Sequence, residues 1–468
     1  MQIKLTFLGA AQNVTGSRYL IEANGSRVLV ECGLYQERHF RDRNWEPFVF
    51  PPGDIDAVLL THAHLDHCGL LPKLVREGFG GKVYCTPATA EIARIILLDS
   101  AHIQEEDAAY KRKRHQREKR TPPRPVMPLY TTEDAERCSS RFAHVPYERP
   151  KEIAPGMTAI FHDAGHVLGS AMIAVTVTDG AEKRTVLFSG DIGRKNTPIL
   201  EDPTPIPAAD YVLIESTYGD RKHAPAEDVA DALAEAINLT VEAGGHVVVP
   251  CFALERSQNI LFYLNELLLK DRIPHLPVFL DSPMAIRITE VFQKHPELFD
   301  DDMLKRLDQH LSPFKLPGLK MTRSVEESKA INHLSGSAII LAGSGMCTGG
   351  RIKHHLVNNI ERPESTILFV GYQAQGTLGR HLVNGTNEVR IHGQSRRVRA
   401  KIARIGGFSA HADRDELFQW LSSLPAPPKG VFVVHGEADS AQAFGEFLRE
   451  KRDWQVTVPT YRDTVILD

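Results

Sequence analysis

Residues 62–67 read His-Ala-His-Leu-Asp-His and follow directly on the apolar run Ala57-Val58-Leu59-Leu60. Three imidazoles and a carboxylate within six residues are metal-ligand chemistry, because zinc-like ions take imidazole nitrogen and carboxylate oxygen. The H-x-H-x-D-H spacing lets alternate side chains face different ions. A polar turn after a buried strand is the plain alternative, but four ligand-type residues rarely coincide at this spacing.

Other apolar runs also end in a ligand-type residue. His166 follows Thr158–Phe161, Asp191 follows Val186-Leu187-Phe188, Glu215 ends Val212-Leu213-Ile214, and His435 ends Val431–Val434. His411 closes Gly-Gly-Phe-Ser-Ala-His-Ala-Asp. Each alone is weak evidence, since a single histidine after a strand is more often a hydrogen-bonded surface residue. Sites in α/β sheets form where strand ends converge, so one cleft could collect them all. Jointly they supply two ions: His62, His64 and His166 on one, Asp66, His67 and His435 on the other, with Asp191 bridging. Glu215 and His411 are then left without a metal role, and a carboxylate orienting an imidazole is what a general acid needs.

The elements that must position these residues fall into two textures. The first ~210 residues show short β patterns at Ile3–Leu8, Arg18–Glu22, Val28–Val30 and Ala57–Leu60, with others at Thr158–Phe161, Ala171–Val177, Thr185–Phe188 and Tyr211–Ile214. A long helix is expected after Thr86-Pro87, with Thr as N-cap and Pro as first helical residue. It runs into the basic stretch Lys111–Arg120 and then a Pro-rich loop over Thr121–Pro128. From about residue 220, Val229, Leu233, Ile237 and Val241 recur every four residues along a helix ended by Gly244-Gly245. The strands Val247–Val249, Val278–Leu280, Ile339–Leu341 and Ile367–Val370 follow, each trailed by a helical stretch. That alternation argues a parallel, doubly wound sheet. Near residue 400 the first texture resumes, at Ile402–Ile405 and Val431–Val434. One α/β domain interrupted by a second is the simplest account: residues 1–219 and 398–468 around an insert at 220–397.

Composition sets the outer bounds. A chain of 468 residues, 42% hydrophobic, has ample apolar material for two or three domains. With a net charge of −4 the molecule is no polycation, so any nucleic acid must meet a local basic surface. Six scattered cysteines without a C-x-x-C pair suggest a reducing compartment. No run is long enough to span a bilayer, and Met1 opens straight into a strand, so a cytoplasmic protein is expected.

These residues resemble the metallo-β-lactamase superfamily, specifically its β-CASP branch of nucleic-acid hydrolases, over nearly the whole chain. His62–His67 correspond to the second motif, His166 to the third and Asp191 to the fourth; Glu215, His411 and His435 stand at motifs A, B and C. Family-like segments in the insert are Pro250–Gln258, Asp281–Ala285 and Gly343–Arg351. The resemblance is closest to bacterial and archaeal relatives of the messenger-RNA 3′-end processing endonuclease, without KH domains. One departure stands out: the first motif usually has Asp before Cys-Gly, where this chain has Glu31-Cys32-Gly33. That acid supports the His-rich loop, and an extra methylene could shift metal affinity without removing a ligand.

The resemblance implies an αββα sandwich with a Rossmann-like β-CASP insert capping the metal cleft. It implies a ribonuclease that hydrolyses single-stranded RNA through a water activated by two zinc ions, with Asp66 and Asp191 among the catalytic residues. His411, oriented by Glu215, would protonate the departing 3′ oxygen, leaving 3′-hydroxyl and 5′-phosphate ends. A histidine at motif C accompanies RNA-acting members, so His435 tilts the substrate toward RNA. Endonuclease action is expected, with 5′-exonuclease action left open, as is the choice between monomer and homodimer.

Substrate contacts are expected from Ser344, Gly345 and Arg351 in a loop that could present backbone N–H groups to phosphate, and from Ser409 and Arg397. A tight strand-to-helix turn explains that loop equally well, and a solvated helix face explains Lys111–Arg120 better than a phosphate track does. His162 is expected to structure its turn rather than bind metal. Two rival functions are a non-catalytic RNA-binding partner, disfavoured because every ligand is present, and a thiolester or lactone hydrolase, which needs neither the insert nor the Glu215/His411 pair.

Overall fold

The computed structural model describes residues 2–121, 125–223 and 229–468, so residues 122–124 of the expected Pro-rich loop lie outside the described residues. The chain forms two compact units. The first comprises Met1–Asn196, Asp202–Lys222 and His411–Asp468; the second comprises Thr197–Glu201 and His223–Ala410.

In the first unit two seven-stranded sheets face each other. One runs, in spatial order, Thr464–Leu467, Ile3–Gly9, Arg18–Ala23, Ser26–Val30, Ala57–Leu59, Lys82–Cys85 and Phe142–His144. The other runs Val456–Thr457, Gly430–Val433, Tyr211–Ile214, Glu182–Phe188, Ala171–Asp179, Met157–Asp163 and Lys151–Ala154. Alternating residues of both sheets, among them Ile3, Leu5, Phe7, Phe161, Ile173, Val175 and Phe188, fill the layer between them. The opposite face of the second sheet packs Val212, Ile214, Val431 and Val433 against Leu417, Trp420, Phe444 and Leu448 of the helices Arg414–Leu421 and Ala438–Lys451. Burying both faces of a sheet demands near-continuous apolar strands, which is why Tyr211–Ile214 and Gly430–Val433 show no alternation.

The expected long helix is present as Pro87–Arg117, with the Thr86 hydroxyl accepting from Thr89 N. Among the described residues no helix is long and apolar enough to cross a membrane.

The second unit holds a six-stranded sheet in the order Leu319–Met321, Val278–Asp281, Ile339–Ala342, Val247–Pro250, Thr366–Phe369 and Lys401–Arg404. All its pairings are parallel. Here the structure corrects the reading at residue 400. Lys401–Arg404 does not resume the first unit; it pairs with Thr366–Phe369 as an edge strand of the second, so the insert's contacts continue to Ala410 rather than ending at 397. Short apolar runs look alike in both units, and only strand pairing assigns this one.

Candidate metal centre

Strand direction builds the site. Glu182–Phe188, Tyr211–Ile214 and Gly430–Val433 lie side by side and parallel, so their C-terminal ends deliver Asp191, Glu215 and His435 to one edge. Ala57–Leu59 and Met157–Asp163 likewise end just before the His-rich loop and His166. His411 arrives on no strand. It is fixed by an isolated bridge to Gly193 and by Ala412 N donating to Ile192 O at 2.8 Å.

Donor atoms of His62, His64, His166 and Asp191 all lie within 4.8 Å of one another, and so do those of Asp66, His67 and His435. Asp191 is central. Its Oδ2 lies 3.4 Å from His62 Nε2, 3.4 Å from His67 Nε2 and 3.5 Å from His166 Nε2, while Oδ1 lies 3.4 Å from His435 Nδ1. Apart from Asp66, His64 and His411, these side chains are almost fully buried.

The residues fit a bound cation on internal grounds. His67 and His435 meet Nε2 to Nε2 at 3.0 Å, and His62 Nε2 meets His64 Nδ1 at 3.1 Å. At most one proton fits in each gap, so lone pairs crowd inward. Glu31 Oε2 stands 3.3 Å from His67 Nδ1, while Nε2 of the same ring faces Asp191 Oδ2 at 3.4 Å. Asp191 Oδ1 is buried and accepts no hydrogen bond. A buried carboxylate with unused oxygen is costly unless a cation meets it.

Electrostatics agree. Burial lowers His62 to about 3 and His64 to about 4, and it also lowers His166, so all three are neutral imidazoles, the form that binds metal. Burial resists charge on His67 and His435 too, but Asp191 and Asp66 outweigh it and raise both. The half of the cluster around Asp66 and Asp191 therefore favours positive charge.

Glu215 is fully buried. One of its oxygens accepts from Ile192 N at 2.7 Å, and the carboxylate lies 3.1 Å from His411 Nδ1. Burial opposes charge on His411, yet Glu215 and Asp191 together raise it to about 9. With its side chain 22% exposed, His411 holds a proton at neutral pH and can reach solvent. His162 pairs instead with Glu148 at 2.7 Å.

Glu31, expected to support the His-rich loop, does so, and two hydroxyls that residue type does not reveal join it. Glu31 sits at φ 66 and its Oε1 accepts from Thr61 N at 2.9 Å, so the acid in the departed motif ties down both ends of the His-rich turn. The Ser170 hydroxyl accepts from His166 N at 3.0 Å, and Thr217 Oγ1 lies 3.3 Å from His435 Nδ1. Glu31 is marked by its place before Cys-Gly and Ser170 only by lying four positions after His166, while nothing local joins Thr217 to His435, 218 residues away.

The expected substrate residues lie in the second unit. The Ser344 hydroxyl accepts from Thr348 N and Gly349 N inside its own turn. Gly345 faces Phe252 so closely that a Cβ would sit 2.7 Å from the ring. Arg351 gives its guanidinium to Asp281 at 2.6 Å and to the carbonyls of Thr322 and Arg323, which braces the loop. Arg397 is exposed on the hairpin formed by Glu388–Ile391 and Gln394–Arg397, and Ser409 is half-buried.

Comparison with known proteins places this geometry. Residues 13–243 match the metallo-beta-lactamase superfamily, 257–382 the Beta-Casp domain, and 395–459 the Zn-dependent metallo-hydrolase RNA specificity domain. A ribonuclease of Thermus thermophilus is 39% identical, with 95% of this chain and 96% of that protein covered. Transcription termination factor FttA of Methanosarcina mazei is 31% identical over 99% of this chain and 72% of its own length. A protein of unknown function from Enterococcus faecalis shares the fold, at a TM-score of 0.56 and 11% identity with all of both chains covered. On this convergence of ligands, fold and relatives, the chain belongs to the β-CASP branch of the metallo-β-lactamase superfamily and is a hydrolase.

Proposed function

We propose that this protein is a zinc-dependent ribonuclease that hydrolyses single-stranded RNA as an endonuclease, with 5′-exonuclease action left open. The observation that carries the reading is the gathering of six ligand-type residues around Asp191 with the His411–Glu215 pair beside them. His62, His64 and His166 would hold one ion and Asp66, His67 and His435 the other, with Asp191 shared. Bound divalent ions would supply Lewis acidity toward the phosphate and a water ionised at neutral pH. RNA as the substrate is supported by the Thermus ribonuclease, by the RNA specificity domain match and by histidine at position 435.

The chain's own contribution is proton delivery. Glu215 faces Nδ1 of His411, so Nε2–H is the ring's other donor. A ring held charged at neutral pH gives that proton to the departing 3′ oxygen, and Glu215 steadies its orientation throughout. Because water attacks phosphorus, the products carry 3′-hydroxyl and 5′-phosphate ends.

Cleavage of 5′- and 3′-labelled RNA with and without chelator, followed by end-group analysis, tests this directly. Cyclic phosphate ends would remove the water mechanism. A His411→Ala variant that cuts as fast as wild type would remove the assigned proton donor.

A further inference from the structure

The site leaves one conspicuous feature of the first unit unused, the distal end of the long helix. Residues 111–120 carry seven cations, Lys111, Arg112, Lys113, Arg114, Arg117, Lys119 and Arg120, against the single carboxylate of Glu118, in a chain whose net charge is −4. The proximal part of the helix is anchored: Ile92, Ala93, Ile96, Leu97 and Ala101 are buried. From Tyr110 onward nearly every residue is exposed. At 100° per residue, Lys111, Arg112, Lys113, Arg114 and Arg117 point all round the axis. This is a charged arm rather than the solvated face of a packed helix.

A solvated helix is normally laced by opposite charges four residues apart. Here Arg114 and Arg120 share Glu118, and Arg112 donates to Val126 O. Among the described residues no ion pair involves Lys111, Lys113, Arg117 or Lys119. Lys113 and Arg117 stand four apart, Arg114 and Arg117 three apart, and both pairs repel. The segment thus carries a local cost that a polyanion would relieve.

Its position relative to the metal centre is set by the same helix. Thr86 and Thr89, at its start, donate to Gly169 O at 2.7 and 2.8 Å, and Gly169 lies in the turn that carries His166. From there to Lys111 the helix rises about 36 Å at 1.5 Å per residue. That is about ten nucleotides of stacked strand at about 3.4 Å each.

We infer that the arm formed by residues 111–120 is a distal docking site for the phosphate backbone of the RNA substrate, engaged only by strands long enough to reach it from the metal centre. The inference rests on the ribonuclease reading but can fail separately from it. Sequence plays no part in the contact, because phosphate is common to every nucleotide. It acts on affinity for long RNA and leaves chemistry untouched.

The test replaces the four cations without an ion pair, as Lys111→Gln, Lys113→Gln, Arg117→Gln and Lys119→Gln together in the full chain. Fluorescence anisotropy in chelator then compares a six-nucleotide with a forty-nucleotide single-stranded RNA across a salt series. The expected result is a loss of about tenfold or more in affinity for the long RNA at low salt. Its log-affinity slope against log salt should become shallower, by up to about 0.7 per lost contact. Binding and metal-supported cleavage of the short RNA should match wild type, which also reports that the variant is folded. Equal affinity and equal slope for the long RNA would overturn the arm alone, provided the short RNA is still cut. Loss of binding to phosphatidylserine vesicles with RNA binding unchanged would overturn it in favour of a membrane surface. If wild type cuts neither RNA but the long one still binds through the arm, the ribonuclease reading falls and the docking site stands.

Discussion

Asp191 in the first unit and Asp281 in the second are both buried carboxylates at or just beyond the C-terminal ends of strands in parallel pairing, and both are surrounded by histidine and other polar groups. Their neighbours treat them differently. Asp281 accepts from Thr322 Oγ1, Ser328 Oγ and Arg351 Nη1 and contacts His355 Nε2, each at 2.6 Å. Burial would raise its carboxyl pKa, but these partners outweigh it and hold the group well below the usual carboxylate range. Asp191 has imidazoles on every side, yet its nearest ring nitrogens stand at 3.4 Å and one of its oxygens accepts nothing. One cluster is closed by the chain's own donors, while the other is complete only with a cation. Residue composition does not separate a structural hub from a metal site; the balance of donors against acceptors does.

That contrast can be broken by substitution. Asp191→Ala should cost at least about 10³-fold in RNA hydrolysis, as expected when several kcal/mol of metal-derived stabilisation are lost. Zinc content measured by atomic emission should fall with it. Retention of full zinc by this variant would deny Asp191 its central place.

His411→Ala should lower kcat by about 10²- to 10⁴-fold while zinc content stays at the wild-type value. Because Glu215 and Asp191 raise the ring to about 9, the proton is present below that pH and is lost above it. Wild-type kcat should therefore decline on the alkaline side, and the variant should lack that limb.

Asp281→Asn should leave zinc untouched and destabilise the fold by about 3 kcal/mol, since it strips the carboxylate from a buried His355 and a part-buried Arg351. The sign follows from the depressed carboxyl. Its stabilisation is fully present above the unfolded value of about 3.9 and is lost as pH falls through the lower folded value. Thermal unfolding of wild type should thus weaken below about pH 4, and the difference from the variant should shrink there. Zinc loss in this variant would mean that the two clusters are not independent.

The smallest effect belongs to Glu31. Glu31→Gln keeps the acceptor for Thr61 N but weakens the hold on His67, so zinc affinity should drop about 10- to 100-fold in a competitive chelator titration. Glu31→Asp, one methylene shorter, should lie between this variant and wild type.

Legibility from sequence followed locality. The His-rich turn is legible because four ligand-type residues share one loop, and the helix start at Thr86-Pro87 because capping is a local matter. The strand at 401–404 was misplaced because its apolar pattern suits either sheet and only its pairing with 366–369 decides. The Asp281 cluster leaves no local mark in the sequence. Its four partners lie 41 to 74 residues away, each of a type common on any surface.

The sequence by itself determined which side chains could ligate a metal and that each follows an apolar run, because ligand chemistry and strand periodicity are carried by neighbouring residues. Only the tertiary structure decided that His67 and His435, 368 residues apart, meet at 3.0 Å. It alone also decided that Arg351 is spent on Asp281. Contacts of that kind depend on sheet order and strand direction, which are fixed by burial of the whole core and leave no local trace.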